Sequence, residues 1–173
     1  MTADPRRPRT PTGTVERTAG QTDVVLRRSF RATAADLWTS ISEPAGLGPW
    51  IGTWDGDPAS GSVLFTMTAE GATEGEECRI LRCDPPHRLT VDAVTGESVW
   101  HLDLEIVDEA EGSTLVFRQT LGPDDDPANI GPGWEYYLDR LVAARSGHDV
   151  SEVVWEEYYP VLAAHYGDAG GTG

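Results

Sequence analysis

The sequence predicts one α+β domain in which a long C-terminal helix lies across a strongly bent antiparallel sheet. Three observations carry this reading. From Gly61 to Leu121 apolar and polar residues alternate in successive short runs separated by Gly-rich or acidic loops, the pattern of strands joined by hairpins. Two other stretches, at 34–41 and 131–146, repeat instead at helical spacing. Each surface so formed is apolar on one side only, so helix and sheet must cover one another.

Residues 1–21 lack an apolar period and are predicted to be a disordered arm. At Asp23 the pattern changes: Val24, Leu26 and Phe30 alternate with Arg27, Ser29 and Arg31, a strand with one wet face. Thr33 and Asp36 supply a hydroxyl cap and a first-turn acid for a helix whose apolar stripe is Leu37, Trp38 and Ile41. Pro44, Gly46, Gly48 and Pro49 then make residues 43–60 a helical turn and a loop. That loop carries Trp50, Ile51 and Trp54, which need somewhere to be buried. Strands are predicted at 62–68, 75–83, 88–94, 98–107 and 113–121. The clearest sets Trp100, Leu102, Leu104 and Ile106 against His101, Asp103 and Glu105. In the last, Gln119 shares a face with Leu115, Phe117 and Leu121, a polar group pointing into an apolar layer.

After Asp124-Asp125-Asp126, the run Gly131-Pro132-Gly133 reads as a helix start, with Pro where no amide donor is needed. Trp134, Tyr137, Leu138 and Leu141 form its stripe, and Gly147 ends it. Asp149 and Glu152 have capping-box spacing for a second helix over 149–166, apolar over a wide arc and bent at Pro160. The domain proper is expected at 22–146, the additional helix at 147–167 and a flexible tail at 168–173. The wide arc either packs within the molecule, on the outside of the sheet or over the first helix, or forms a contact between two copies.

Composition narrows the function. The 173 residues are 39% hydrophobic and 24% charged, enough for folding to remove roughly 70% of the unfolded surface from water. No run approaches the roughly 18 apolar residues of a membrane span, and the first 20 residues lack the apolar segment of a secretory signal, so a cytoplasmic protein is expected. Thirteen arginines, with no lysine, face 29 acids for a net charge of −16. Four of those arginines and only two of the acids precede residue 23. Such an acidic domain repels phosphate backbones and anionic headgroups, which argues against nucleic-acid and membrane partners.

Chemistry-bearing motifs are sparse. Cys78 and Cys83 lie at odd spacing on a predicted strand, on opposite faces and about 17 Å apart if the strand is regular, so they should be unpaired structural thiols. His87, His101, His148 and His165 form no metal-ligand spacing, Asp55-Gly56-Asp57 lacks a calcium-loop pattern, and no nucleophile sits in a recognisable elbow. Neither metal, cofactor nor catalytic residue is predicted.

Four stretches resemble the START-like (SRPBCC) superfamily, and within it the bacterial branch named for the activator of heat-shock-protein-90 ATPase. They are Leu26–Phe30 with Ala35–Trp38, Glu43-Pro44 through Pro49-Trp50, Asp84–Leu89, and Gly133–Leu141. Ile51 stands where the family's turn has a second Trp. The resemblance implies a helix-grip fold, a curved sheet wrapped around the long helix, with a cavity between them. Its candidate lining is Trp50, Trp54, Phe65, Met67, Trp100, Phe117, Gln119, Trp134, Tyr137 and Leu141. The implied function is non-catalytic binding of a small hydrophobic or aromatic molecule. The alternatives are a polyketide cyclase or hydrolase-like enzyme, which needs a titratable group such as Glu77, Arg79 or His101 turned inward, and a protein-binding, co-chaperone-like module.

Overall fold

The computed structural model describes residues 9–171. Eight strands form one open antiparallel sheet: β1 (Thr14–Thr18), β2 (Gln21–Phe30), β3 (Thr53–Asp55), β4 (Ser62–Thr66), β5 (Glu76–Asp84), β6 (Arg88–Thr95), β7 (Ser98–Glu109) and β8 (Gly112–Thr120). Their spatial order is β1-β2-β8-β7-β6-β5-β4-β3. Four helices accompany them: α1 (Ala34–Ser42), α2 (Pro44–Leu47), α3 (Pro127–Arg145) and α4 (Ala163–Gly171). The sheet curves around α3 in the helix-grip arrangement that the sequence predicts.

Register explains why one face is dry. Leu26, Phe117, Leu104 and Leu89 are successive cross-strand partners over β2, β8, β7 and β6. The neighbouring row, Val24, Gln119, Leu102, Val91 and Ile80, reaches β5. Side chains in one row share a face, so both rows point at the helices, and Gln119 stands in the middle of an apolar file. On the opposite face charged residues pair across strands: Arg88 with Asp103 at 2.8 Å and Arg118 with Asp23 at 2.9 Å.

Several elements depart from the sequence reading. Residues 14–21 are not a loose arm: β1 pairs with β2 from Thr14↔Val25 to Thr18↔Gln21. The turn between them holds Ala19 and Gly20 at positive φ, the geometry of a tight hairpin turn, in which Ala is an unusual occupant. Residues 1–8 of the expected arm lie outside the described residues. Strand β3 pairs Trp54 with Phe65 inside the stretch expected to be a loop. Helix α3 begins four residues before Gly131, because the Asp126 carboxylate accepts from the Ala128 amide at 2.9 Å and Pro127 takes the first helical position.

The segment 149–166 is not one helix. It makes short 3-10 turns at Val150–Glu152 and Trp155–Glu157 before α4 starts at Ala163. Pro160 lacks the amide a continuous helix would need, and Val153-Val154 adds a β-branched pair before it. Tyr158, Leu162 and Tyr166 are fully or nearly fully buried, while Trp155, Tyr159 and Val161 remain substantially exposed. The packing partners are α3 and β1, not the outside of the sheet or α1. Helix α4 runs on through residues 168–171, where a tail was expected, and 172–173 lie outside the described residues.

One carboxylate ties these additions down. Glu135, on α3 and 2% exposed, accepts from the Thr12 amide and hydroxyl (both 2.7 Å), the Gly13 amide (3.0 Å), Arg28 (3.0 Å) and the Tyr166 hydroxyl (2.5 Å). Burial opposes its charge, but the donors from Thr12, Tyr166 and Gly13 win and hold it below the usual carboxylate range. One turn along, Asp139 takes Arg9, Arg28 and the Tyr158 hydroxyl.

Candidate ligand-binding site

The site grows out of the end of α1. The last carbonyls of a helix have no partner within it. Here the indole N–H of Trp50 donates to Ser40 O at 2.9 Å, and that of Trp54 to Ser42 O at 2.8 Å. Both tryptophans thereby spend their only polar atom on the helix terminus, leaving the ring surfaces to face inward. The Arg140 guanidinium holds this turn to α3 by donating to Trp50 O at 2.9 Å. The family-like turn is therefore a wall, fixed at both ends by hydrogen bonds.

Opposite it, the inner file of the sheet supplies Val63, Phe65, Ile80, Val91, Ala93 and Leu102, and Trp134 closes the α3 side. They border a partly open cavity of about 260 Å³. Its lining is apolar apart from Ser42, Thr95, Glu76 and Glu77, and the Ser42 hydroxyl is taken by Trp38 O at 2.7 Å. Glu77 is ion-paired with exposed Arg79, which keeps its carboxyl below the usual range. His101 lies on the outer face and pairs with Asp92 at 2.7 Å.

Both cysteines line this cavity, which overturns their predicted placement on opposite faces. The β5–β6 register jumps between Ile80 and Arg82, so the extra residue at Leu81 reverses the alternation and returns Cys83 to the face of Cys78. Both thiols are free. Burial, helped by Asp92, pushes the Cys78 thiol up to about 11, so it stays protonated at neutral pH.

Of the predicted lining, Trp50, Trp54, Phe65, Met67, Trp100, Phe117 and Trp134 border this cavity. Gln119 and Tyr137 do not; they border a second chamber of about 510 Å³, which shares Trp100 and Trp134 with the first. Those two rings meet edge to face at 5.7 Å and form the partition. Leu141 borders neither chamber and is wholly buried core. The sequence reading missed Cys78, Cys83 and Ala93 of the first chamber, and Glu70 and Trp155 of the second. The alternation of β6 could have placed Ala93; nothing local marks the β5 bulge or the fold-back of Trp155.

In the second chamber Gln119 Oε1 accepts from Trp134 Nε1 at 2.6 Å, and the Tyr137 hydroxyl donates to the Glu70 carboxylate. Burial, reinforced by Glu70, raises the Tyr137 pKa well above the ordinary tyrosine value. Among the described residues no three His, Cys, Asp or Glu side chains converge as a metal site, and no helix is long and apolar enough to cross a membrane.

A family model described as Activator of Hsp90 ATPase homolog 1-like protein matches residues 31–145, from the approach to α1 to the end of α3. No curated protein matches the sequence. Similar solved structures include CalU16 from Micromonospora echinospora, 20% identical over 94% of this chain and 98% of its own, with a TM-score of 0.70. MLL2253 from Mesorhizobium loti is 20% identical over 73% of this chain and 98% of its own, with a TM-score of 0.62. DynU16, a protein of the dynemicin biosynthetic locus, is 15% identical over 74% of this chain and 49% of its own, with a TM-score of 0.57. At these identities the likeness is one of fold.

Proposed function

This chain belongs to the Activator of Hsp90 ATPase homolog 1-like family, and from that premise we propose that it binds a small hydrophobic or aromatic molecule without transforming it. The fold is one whose members bind hydrophobic ligands or act as polyketide cyclases. The observation that carries the binding reading is the composition of the 260 Å³ cavity: mostly aromatic and aliphatic side chains, with the indole N–H groups of Trp50 and Trp54 already engaged. Such a surface gains free energy by giving up water to an apolar guest, roughly 25 cal/mol for each Å² covered. Of the titratable groups that chemistry would need, Arg79 and His101 lie on the wet face, Glu77 borders the cavity but is ion-paired with Arg79, Glu76 accepts from the Gly96 amide, and Cys78 is held as a neutral thiol.

Tetralin, a neutral bicyclic hydrocarbon, tests the reading by titration calorimetry. The wild-type protein should bind it, and Ala93→Phe, which grows a ring into the cavity, should weaken binding at least tenfold while the thermal transition is kept. Failure of the wild-type protein to bind tetralin would sink the proposal.

A further inference from the structure

We infer that the second chamber is a recognition site for a neutral, planar aromatic molecule bearing a hydrogen-bond acceptor such as a ketone, read by the amide nitrogen of Gln119. The inference deepens the binding function proposed above and rests on it. The Gln119 side chain is 1% exposed, and its orientation is fixed because Trp134 Nε1 can only donate, so Oε1 must be the atom that receives it. That leaves Nε2 buried, with no partner in the protein. Buried donors are ordinarily paired, and leaving one unpaired destabilises the fold. This one belongs to a side chain that borders a 510 Å³ chamber.

The chamber's other walls select what could pair with it. Trp100, Trp134, Tyr136, Tyr137 and Trp155 offer ring faces and edges, which suit a flat aromatic guest. Glu70 is in the lining and no Arg or His is, so a carboxylate or phosphate would meet a like charge with nothing to neutralise it. The acceptor must therefore be uncharged. Gly133 adds a further sign that space is kept here: it sits inside α3, where Ala would be the better helix former, yet a Cβ at that position meets nothing within 4 Å. Trp155 lies beyond residue 145, where the family match ends, so the C-terminal segment completes a wall that the shared core does not supply. Edge-to-face contact with Tyr136 at 5.4 Å sets its ring in place.

The test compares 1-tetralone with tetralin, two bicycles of nearly one shape that differ by a carbonyl. The wild-type protein should prefer the ketone about tenfold, the worth of a well-made hydrogen bond to an otherwise unpaired donor. In Gln119→Met, which removes the donor, the preference should vanish while tetralin affinity persists. Gly133→Leu, which fills the chamber but leaves Gln119 intact, should also abolish the preference without lowering the thermal transition. The carbonyl stretch of bound, isotope-labelled tetralone should lie at lower frequency in the wild-type complex than in the Gln119→Met complex. Equal wild-type affinities for the two molecules, or a preference that survives Gln119→Met, would overturn the inference and leave the apolar cavity standing. Absence of both complexes would overturn the inference together with the function on which it rests.

Discussion

Adding one methyl group at Gly131 should destabilise the protein, although the same change two residues along should stabilise it. Both glycines lie inside α3, where replacing Gly by Ala ordinarily gains about 0.5–1 kcal/mol. At Gly131 a Cβ would come closer than 3.0 Å to three atoms of the Tyr166 ring, a side chain with no exposed surface. Overpacking of that kind costs about 1–3 kcal/mol. If the ring is driven out, the Tyr166–Glu135 hydrogen bond, worth about 1.5–3 kcal/mol because the acceptor is charged, is lost as well. The balance for Gly131→Ala is a loss of about 2 kcal/mol, against a gain of about 0.5–1 kcal/mol for Gly133→Ala, whose Cβ enters open space. For a chain of this length those energies move the thermal midpoint by about 2–4 °C per kcal/mol, and urea unfolding should report them with an unchanged slope. A double-mutant cycle isolates the contact: in a Tyr166→Ala background Gly131→Ala should change sign and stabilise. Two stabilising single variants, or a Gly131→Ala penalty that persists without Tyr166, would refute the reasoning.

Glu135→Gln should destabilise the protein by about 3 kcal/mol in chemical denaturation, since it leaves Arg28 without its most buried partner. Because the native Glu135 pKa lies below its unfolded value, its contribution is complete above about pH 4.5 and is lost as pH falls through the native value; the variant should show a shallower acid limb. Burial raises the pKa of Tyr137, Tyr158 and Tyr166 in the folded state, so their contribution is complete below about pH 10 and is lost on going higher. Tyrosinate absorbance from these three should therefore appear only with unfolding, and their free titration in a folded protein would contradict the packing. Exposed Cys83 should react with a disulfide reagent at pH 8 at least a hundredfold faster than Cys78, and saturating tetralin should slow both; comparable rates would place Cys78 outside the cavity.

The legible parts of the fold were those written in local periodicity. Val24, Leu26, Trp100, Leu102, Leu104 and Ile106 fall on the inner face because a two-residue period leaves no other choice once one side is apolar. Thr33 caps α1 as its spacing predicts, its hydroxyl accepting from Asp36 at 3.1 Å. What could not be read depends on partners distant in the chain. Strand β1 has one large apolar residue, Val15, and forms because β2 offers a template and Glu135, 122 residues further on, receives Gly13. The Leu81 bulge decides where Cys83 points, yet no Gly or Pro marks it. Trp155 has the composition of a helix face and finishes as a chamber wall, since Pro160 forbids the continuous helix that would have carried it elsewhere. Of the candidate lining, residues on regular strands were placed by alternation, whereas the partition between two chambers arises from how Trp100 and Trp134 meet, which no single segment encodes.

Thr12 and Tyr166 stand 154 positions apart in the chain, yet both rest on the Glu135 carboxylate, the Tyr166 hydroxyl sharing Oε1 with the Thr12 amide. That convergence closes the polypeptide into a loop by a non-covalent staple. Stretched between those two residues in a single-molecule experiment, the chain would load this staple first, before any ladder of the sheet is sheared. Mechanical resistance would then draw on the Glu135 carboxylate and on the neighbouring hydrogen bond between His165 Nε2 and Gly13 O at 2.8 Å, and damage at either end of the staple would be transmitted to the other.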